Sequence, residues 1–542
     1  MPSISGHIID IANRNTYKGI VHFEGNRITK IETADEVSDQ YLLPGFVDAH
    51  VHVESSMVVP SEFARMAVVH GTVGTVSDPH EIGNVLGVEG VEYMIENGQK
   101  VNFKFNFGAP SCVPATTSET AGAEITPADV EYLLKKPEVK YLAEMMNWPG
   151  VLFNDPVVYE KLDIAKRLGK PIDGHAPGLK GDQARDYIAA GISTDHECFT
   201  AEEALDKLKH GMKIAIREGS AAKNFEALIP LLSDHADMIM FCSDDKHPDN
   251  LEEGHINQLV TRALAKGHDL YDVLKAACIN PVEHYSLDIG LLKEGDFADF
   301  IVIDNPEDFN VKATYINGEQ VAAEGKTLIG RVENGIINNF DCQPVSLDQI
   351  KVKAESSQLH VIEAPDGQLI TNCLSMPVKT DEAGYAISDV DHDVLKMVVV
   401  NRYNPAPPAI AFIKNFGLKE GAIASSVGHD SHNIIAVGVD NESICRAINM
   451  LVEAQGGVSA VSATESQVVA LPVAGIMSAD DGYEVAKAYS SIDALSKRMG
   501  STLNSPFMTL SFMALLVIPS LKLSDKGLFD GDKFEFKPLF AD

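Results

Sequence analysis

The sequence predicts an α/β protein built on a (β/α)8 barrel of the TIM type, with a small β-sandwich beside the barrel and a C-terminal α+β domain. Between residues 45 and 284, eight short apolar runs alternate with segments of helical length, the pattern of a parallel sheet with crossover helices. Strand-like segments with hairpin turns flank this region on both sides. A tail of about 200 residues follows, which is long enough to form its own core.

The flanking segments read as short strands, at 6–10 and 19–28 before the barrel and at 290–304 and 314–319 after it. Gly25-Asn26 and Asn317-Gly318 are turn pairs of the kind that join antiparallel strands. We expect residues 1–44 and 285–344 to pair into one β-sandwich.

The eight barrel strands are predicted near 46–53, 71–77, 101–108, 139–145, 171–175, 192–196, 212–217 and 238–243. Eight strand and helix repeats in this length match a (β/α)8 barrel over residues 45–284, with the active site at the C-terminal ends of its strands. An open, doubly wound sheet is the competing arrangement. No Gly-x-Gly-x-x-Gly follows the first strand, so nothing supports dinucleotide binding.

The third predicted domain spans residues 345–542. Its strongest signals are a strand at 397–400, a proline-rich loop at 405–408 and a helix at 444–455. We find no internal repeat and no low-complexity segment in the chain.

Composition argues against nucleic acid binding, secretion and membrane insertion. The 542 residues carry a formal net charge of -34, which would repel a phosphate backbone and argues against a nucleic acid partner. The seven cysteines are odd in number and include no Cys-x-x-Cys pair, as expected in a reducing cytoplasm. The sequence shows neither a signal peptide nor an apolar run long enough to span a membrane. A homodimer is the expected assembly.

Polar residues at the predicted strand ends form the candidate active site. His50 and His52 alternate onto one face of the first strand and can share a metal ion. Strand ends of a barrel face one cavity, and here they add Glu144, His175, His196 and Asp244. Four histidines and two carboxylates suit two divalent ions with a bridging carboxylate. Asp244 can also take a proton from water, whereas Asp245 is expected on the opposite face.

These residues resemble the amidohydrolase superfamily, and longer motifs resemble its bacterial-type adenine deaminases. The motifs lie at 77–85 (SDPHEIGNV), 143–147 (AEMMN), 174–178 (GHAPG), 195–197 (DHE), 217–221 (REGSA), 244–249 (DDKHPD) and 421–433 (GAIASSVGHDSHN). The similarity runs nearly end to end. Asn401-Arg402-Tyr403 departs from the Glu-Arg-His expected there, and Lys293-Glu294-Gly295 stands where relatives often have proline before the glycine.

The resemblance implies hydrolysis of adenine to hypoxanthine and ammonia at a centre of two manganese or iron ions, with zinc as an alternative. A metal-activated hydroxide would attack C6, with Asp244 and Glu144 as catalytic ligands and Asp244 moving the proton. Adenine and water are the expected partners, and no membrane is involved.

Further candidates are assigned to the substrate and to pocket closure. His80, Glu81, Arg217, Glu218 and Ser220 are candidate substrate contacts, although an acidic residue at a helix N-terminus is favoured in any case. His429, Asp430 and His432 are candidates for closing the pocket, with an independent metal site or a simple turn as alternatives. Trp148 could stack on a flat base, although packed aromatic residues are more common.

Three alternative functions are compatible with these residues. A cyclic amide hydrolase of the dihydroorotase or hydantoinase kind shares the barrel but usually bridges its metals with a carboxylated lysine, and no lysine lies in 142–147. A mononuclear adenosine deaminase needs no bridging residue. A non-catalytic scaffold of the same ancestry would typically have lost ligands, whereas all six are present here.

Overall fold

The protein is described from a computed structural model that covers residues 2–541. It begins with four strands: β1 Ser3–Asp10, β2 Asn15–Glu24, β3 Arg27–Thr33 and β4 Tyr41–Pro44. The Gly25-Asn26 pair turns β2 into β3, as predicted. Here the glycine has a φ of 57°, a conformation that costs glycine least.

Eight parallel strands follow, and all eight were predicted to within a few residues. Their bounds are β5 Phe46–Val51, β6 Thr72–Ser77, β7 Lys104–Ala109, β8 Val139–Met145, β9 Ile172–Gly174, β10 Thr194–Asp195, β11 Lys213–Arg217 and β12 Ile239–Cys242. Helices connect them: α1 Pro60–Ala67, α2 His80–Gly98, α3 Pro127–Leu134, α4 Trp148–Leu152, α5 Pro156–Arg167, α6 Gly181–Ala189, α7 Ala201–Lys209, α8 Phe225–Leu228, α9 Leu232–His235, α10 Pro248–Glu253, α11 Ile256–Ala265, α12 Leu270–Leu274 and α13 Asn280–Tyr285.

The parallel strands form a curled layer. Strands β5 to β9 make a five-stranded sheet and β10 to β12 a three-stranded one. The two sheets meet where Ser193 N donates to Ile172 O at 2.9 Å. At the other end Asp244 N donates to His50 O at 2.9 Å, which brings the end of β12 beside the end of β5. The C-terminal strand ends therefore face a common space.

Both flanks of this layer contribute to one eight-stranded sheet, as predicted. The later strands are β13 Phe300–Ile303, β14 Val311–Ile316, β15 Glu319–Ala323 and β16 Lys326–Thr327, and the order is β16-β15-β14-β13-β4-β1-β2-β3. The central join is β4 with β13, where Leu43 pairs with Ile301.

The C-terminal region forms its own sheet domain. Its strands are β17 Gln358–Glu363, β18 Asn372–Pro377, β19 Val394–Val400, β20 Ala409–Lys414, β21 Ala422–Ser425, β22 Ile434–Gly438, β23 Gly457–Val461, β24 Ser466–Ala470, β25 Leu521–Ser524, β26 Gly527–Asp530, β27 Glu535–Phe536 and β28 Phe540–Ala541. Its helices are α14 Asn441–Ala454, α15 Gly482–Arg498 and α16 Pro506–Ser511. Nine strands form the main sheet, and β25 to β27 form a smaller one.

The C-terminal domain packs directly on the parallel strands. One cluster of buried apolar side chains runs without interruption from Val47 on β5 to Phe507 on α16. A backbone hydrogen bond of 3.0 Å from Val59 to Ser478 crosses the same boundary. None of the helices within residues 2–541 has the length and apolar character required to cross a bilayer.

Candidate metal centre

The six residues predicted as ligands converge at the ends of their strands. Five of them are at most 3% exposed, and the His175 side chain is 12% exposed. They come from five strand ends: His50 and His52 from β5, Glu144 from β8, His175 from β9, His196 from β10 and Asp244 from β12. The structure thus brings the whole predicted set together.

A first group of donors surrounds the two histidines of β5. His50 Nε2 and His52 Nε2 lie 3.2 Å apart, and Asp244 Oδ1 lies 3.3 Å from His52 Nε2. His52 Nδ1 lies 3.1 Å from the carbonyl oxygen of Asp78. A ring N–H donated to that carbonyl leaves the Nε2 lone pair pointing into the site, which is how metal-binding histidines are oriented.

A second group lies on the other side of Glu144. Its Oε2 is 2.8 Å from His175 Nδ1 and 3.2 Å from His196 Nε2. Its Oε1 is 3.6 Å from His52 Nε2 in the first group. One oxygen of Glu144 therefore faces each group, the arrangement a bridging carboxylate needs.

The donor set fits divalent metal ions. Ligand atoms of His50, His196 and Asp244 lie within 4.8 Å of one another, and so do those of Glu144, His175 and His196. His50 Nδ1 is buried without a hydrogen-bond partner among the described residues. Imidazole nitrogen and carboxylate oxygen are donors that zinc, manganese and iron accept.

Arg217 holds the carboxylate of Asp244. Its Nη1 donates to Asp244 Oδ2 at 2.5 Å, and its guanidinium also donates hydrogen bonds to both carboxylate oxygens of Glu197. Burial by itself would raise the pKa of Asp244, but the charge of Arg217 lowers that pKa well below its usual range. Asp244 is therefore ionised, with Oδ1 turned towards the histidines.

The cavity at this centre contains some of the predicted substrate contacts but not others. His80, Glu81 and Arg217 line it. Glu218 lines a different cavity, where Arg262 pairs with it at 2.7 Å. Ser220 Oγ donates to Asn250 Oδ1 at 2.6 Å. Trp148 packs against the apolar core instead of the cavity.

Two of the candidate closing residues contact Glu81, in the first turn of α2. His429 Nδ1 and His432 Nε2 both donate to the Glu81 carboxylate, the second at 2.5 Å. Asp430 also lines the cavity, with Oδ1 3.6 Å from His80 Nε2. These contacts tie the C-terminal domain to the start of α2. Tyr403, in the segment that departs from the expected motif, donates to Ser431 O at 2.6 Å and is connected to the same loop.

Asp245 contradicts the expectation of a residue on the opposite face. It lines the cavity together with Asp244 and accepts a hydrogen bond of 2.5 Å from Ser55 Oγ. The reason is that Asp244 has a φ of 56°, a left-handed conformation that interrupts the alternation of a strand. Strand periodicity therefore does not apply at this position.

Two other functional neighbours were missed from the sequence. Glu197 lines the cavity and binds Arg217, and Asp78 Oδ2 accepts the backbone N–H of Glu144 at 3.3 Å. Both are acidic residues at strand ends: Glu197 directly follows His196, and Asp78 directly follows β6. An acidic residue at a predicted strand end was therefore the sequence signal that could have identified both residues.

A buried ion pair between Lys207 and Asp195 lies next to two of the ligands, His175 and His196. Lys207 on α7 is 1% exposed and donates to Asp195 at 2.7 Å and to the carbonyl of Ala176 at 2.7 Å. Asp195 and Ala176 are the direct neighbours of His196 and His175. Lys207 thereby holds the backbone next to both histidines in place.

The Lys207→Met substitution is expected to lower the free energy of unfolding by about 3–5 kcal/mol, because Asp195 would remain buried without a cation. Burial alone would raise the pKa of Asp195, but Lys207 lowers it. The stabilisation is therefore complete above the unfolded carboxyl pKa of about 3.9 and is lost as the pH falls below it. Urea unfolding at pH 7 measures the effect. Lys209→Met, on the same helix with a side chain 71% exposed, is the control, and equal losses in both variants would contradict the assignment.

Comparison with known proteins agrees with this geometry. Residues 41–321 match the Amidohydrolase family, and residues 368–535 match the Adenine deaminase C-terminal domain. The chain is 56% identical to an adenine deaminase of Salinibacter ruber, with 100% of this chain and 99% of the relative covered. The chain belongs to the adenine deaminase family of amidohydrolases. An adenine deaminase of Methanosarcina mazei is 50% identical over the full length of both chains.

Among solved structures, a beta-aspartyl dipeptidase of Fervidobacterium islandicum is 16% identical with a TM-score of 0.45 and covers 60% of this chain and 98% of its own. A D-hydantoinase from Thermus sp. gives 16% and 0.45, covering 60% and 96%. Membership of the adenine deaminase family implies a divalent metal centre, for which the cluster at the strand ends supplies the donors.

Proposed function

We propose that this chain hydrolyses adenine to hypoxanthine and ammonia. The observation that carries the proposal is the full-length similarity to adenine deaminases, at up to 56% identity, combined with Glu144 placed between two groups of histidines. Water supplies the oxygen that becomes bonded to C6, and the bond from C6 to the exocyclic nitrogen breaks.

The proposed centre contains two divalent ions, manganese or iron, with zinc as the alternative. His50, His52, His175, His196 and Asp244 would hold them and Glu144 would bridge them. When bound, such ions lower the pKa of water towards 7 and so supply a nucleophile at neutral pH.

Asp244 moves the proton in this proposal. Arg217 occupies Oδ2 at 2.5 Å, so Oδ1 is the oxygen available to accept a proton from the attacking water. The same carboxyl group then delivers a proton to the ring or to the departing amine, acting first as base and then as acid. Arg217 orients this carboxylate and does not have to contact the substrate.

We assign His80 and Glu81 to the purine and the loop with His429, Asp430 and His432 to pocket closure. In support, the cavity has a volume of only about 20 Å³, room for about one water molecule. In this proposal the C-terminal loop is the part of the lining that moves to admit a purine. The hydrogen bonds from His429 and His432 to Glu81 would then re-form over the bound base.

We also propose that the eight parallel strands close into a complete (β/α)8 barrel over residues 45–284. Residues 1–44 and 285–344 would form the β-sandwich, and 345–542 the C-terminal domain. In support of the sandwich, the rings of Phe23 on β2 and Phe300 on β13 lie 5.7 Å apart although two strands separate them in the sheet. Such a contact requires the sheet to fold over on itself.

The homodimer, the cytoplasmic location and the exclusion of nucleic acid and membrane partners remain predictions. The net charge of -34 supports the exclusion of nucleic acid, and the seven free cysteines are consistent with a reducing compartment.

The test is ammonia release by protein loaded with manganese, with adenine, adenosine and a dihydropyrimidine as substrates. We expect release from adenine and no turnover of the other two. Ring opening of the dihydropyrimidine with adenine left intact would instead identify a cyclic amide hydrolase.

A further inference from the structure

The cavity at the metal centre is covered by an apolar roof, which we define as Leu369, Phe512, Leu515 and Ile518. Each of these side chains is at most 6% exposed. Phe512 stacks on His429, with the ring centroids 4.5 Å apart. The ligand cluster on one side of the cavity comes from the strand ends, whereas the C-terminal domain contributes the roof together with His429 and Asp430.

The roof is assembled from two segments distant in sequence, and one side chain binds both. Lys522 on β25 donates to Leu369 O at 2.7 Å and to Phe512 O at 3.0 Å. Lys522 is fully buried, and burial lowers its pKa to about 7. Buried lysines are normally paired with a carboxylate, whereas both acceptors recorded for Lys522 are backbone carbonyls of the roof.

We propose that Lys522 is a positioning residue that holds the apolar roof over the site, and that the held roof restricts the substrate to a free purine base. This inference rests on the proposed deamination of adenine. It adds the element that selects the base and the residue that keeps that element in place.

The selection follows from the position of the roof. Water attacks C6 from a face of the ring, so one face of the purine lies against the strand ends, where the ligands and Asp244 lie, and the roof covers the opposite face. The sugar of a nucleoside is attached to N9, on the far side of the ring system from C6, and would extend beyond the ring into the lining that the C-terminal domain supplies. Its hydroxyl groups would be pressed against leucine, isoleucine and phenylalanine side chains without hydrogen-bond partners, which is costly.

Lys522 is suited to a roof that must also open. The cavity of about 20 Å³ has room for about one water molecule, and in this proposal the roof, whose Phe512 stacks on His429 of the closing loop, lifts with that loop for entry and returns afterwards. Two hydrogen bonds from one side chain to carbonyl oxygens can break without separating a salt bridge. Leu369 and Phe512 are joined through Lys522 only while these bonds are intact, so breaking them frees both segments of the roof.

The first test is Lys522→Met, which keeps the length of the side chain and removes its donors. We expect KM for adenine to rise about tenfold with kcat nearly unchanged, because the roof contacts substrate and transition state alike. The ratio of kcat/KM for adenosine to that for adenine is expected to rise, while the content of bound metal stays as in the unaltered protein.

Lys396→Met is the matched control. Lys396 lies in the same domain, is 1% exposed and donates to Ile350 O at 3.1 Å and to Asn441 Oδ1 at 2.7 Å, and neither acceptor belongs to the roof. We expect this variant to keep the original KM. An equal rise of KM in both variants would reduce Lys522 to a merely structural residue and overturn the inference.

Amide hydrogen exchange over residues 366–371 and 505–518 provides a readout independent of turnover. Exchange should be faster in Lys522→Met than in the control and slower in the unaltered protein when hypoxanthine is added. Unchanged exchange in Lys522→Met would overturn the role of this residue even if the protein had no activity on adenine. Conversely, an inactive protein with faster exchange in Lys522→Met would refute only the proposed function.

Leu515→Ala tests the roof without altering Lys522, and it decides the question if Lys522→Met does not fold. It is expected to raise the relative activity on adenosine while exchange at 366–371 stays slow. Unchanged discrimination between adenine and adenosine in this variant would contradict the selection by the roof.

Discussion

Asparagine in place of Asp244 is expected to lower kcat for ammonia release from adenine by about 100- to 10,000-fold, the usual contribution of a positioned acid or base. The amide keeps the shape of the carboxylate but cannot accept the proton from water. Steady-state kinetics with saturating manganese measure the loss, and metal analysis of the same sample separates it from a loss of ions.

Asp245→Asn is the matched control for that experiment, since Asp245 lines the same cavity and follows Asp244 directly. Ser55 already occupies one oxygen of Asp245 at 2.5 Å, and Arg217 contacts Asp244 instead. We expect a loss of about tenfold or less, as for the removal of one hydrogen bond. A larger loss of kcat in Asp245→Asn than in Asp244→Asn would contradict the assignment of the proton transfer to Asp244.

Glu144→Ala is expected to lower bound metal from about two ions per chain to one or none, because among residues 2–541 no other carboxylate has one oxygen directed to each group of histidines. Activity on adenine should fall with the metal. Elemental analysis after removal of loosely bound ions measures the content.

Glu197→Gln controls for this loss. Glu197 Oε1 lies 3.6 Å from His196 Nε2, which makes it a competitor for a ligand role, but its carboxylate is bound by Arg217. We expect Glu197→Gln to retain both ions. Two ions retained in Glu144→Ala, or one lost in Glu197→Gln, would show that the bridging carboxylate has been misassigned.

The ligand cluster could be predicted from the sequence because regular strands obey a simple rule. His50 and His52 alternate on β5, and the other four ligands follow or end short apolar runs. Strand ends of such a layer face one space, so six residues distant in sequence could be assigned to one site without knowing any distance. The structure brings all six together.

Residues near the cluster escaped prediction where that rule fails. Asp245 was predicted on the face opposite Asp244, which is wrong because Asp244 has a positive φ. No local sequence pattern predicts this backbone conformation. Glu218 and Ser220 follow β11, beyond which the chain turns to pair with α10 and α11. Strand periodicity cannot describe a loop whose path is set by its tertiary contacts.

The apolar roof could not be predicted for a different reason. Leu369, Phe512, Leu515 and Ile518 look like ordinary core residues in the sequence, since an apolar side chain carries no sign of which surface it covers. Lys522 stands in a short strand with nothing local to show that it binds two remote carbonyls. Only the packing of the C-terminal domain on the strand ends reveals their common position.

We propose that the strand-end cluster holds two ions and that both are needed to deaminate adenine. Metal-free protein titrated with Mn²⁺, with hypoxanthine formation followed by absorbance, tests it most directly. We expect no activity without metal and a rise that saturates at about two equivalents per chain. Full activity at one equivalent, or hypoxanthine formation by the metal-free protein, would contradict it.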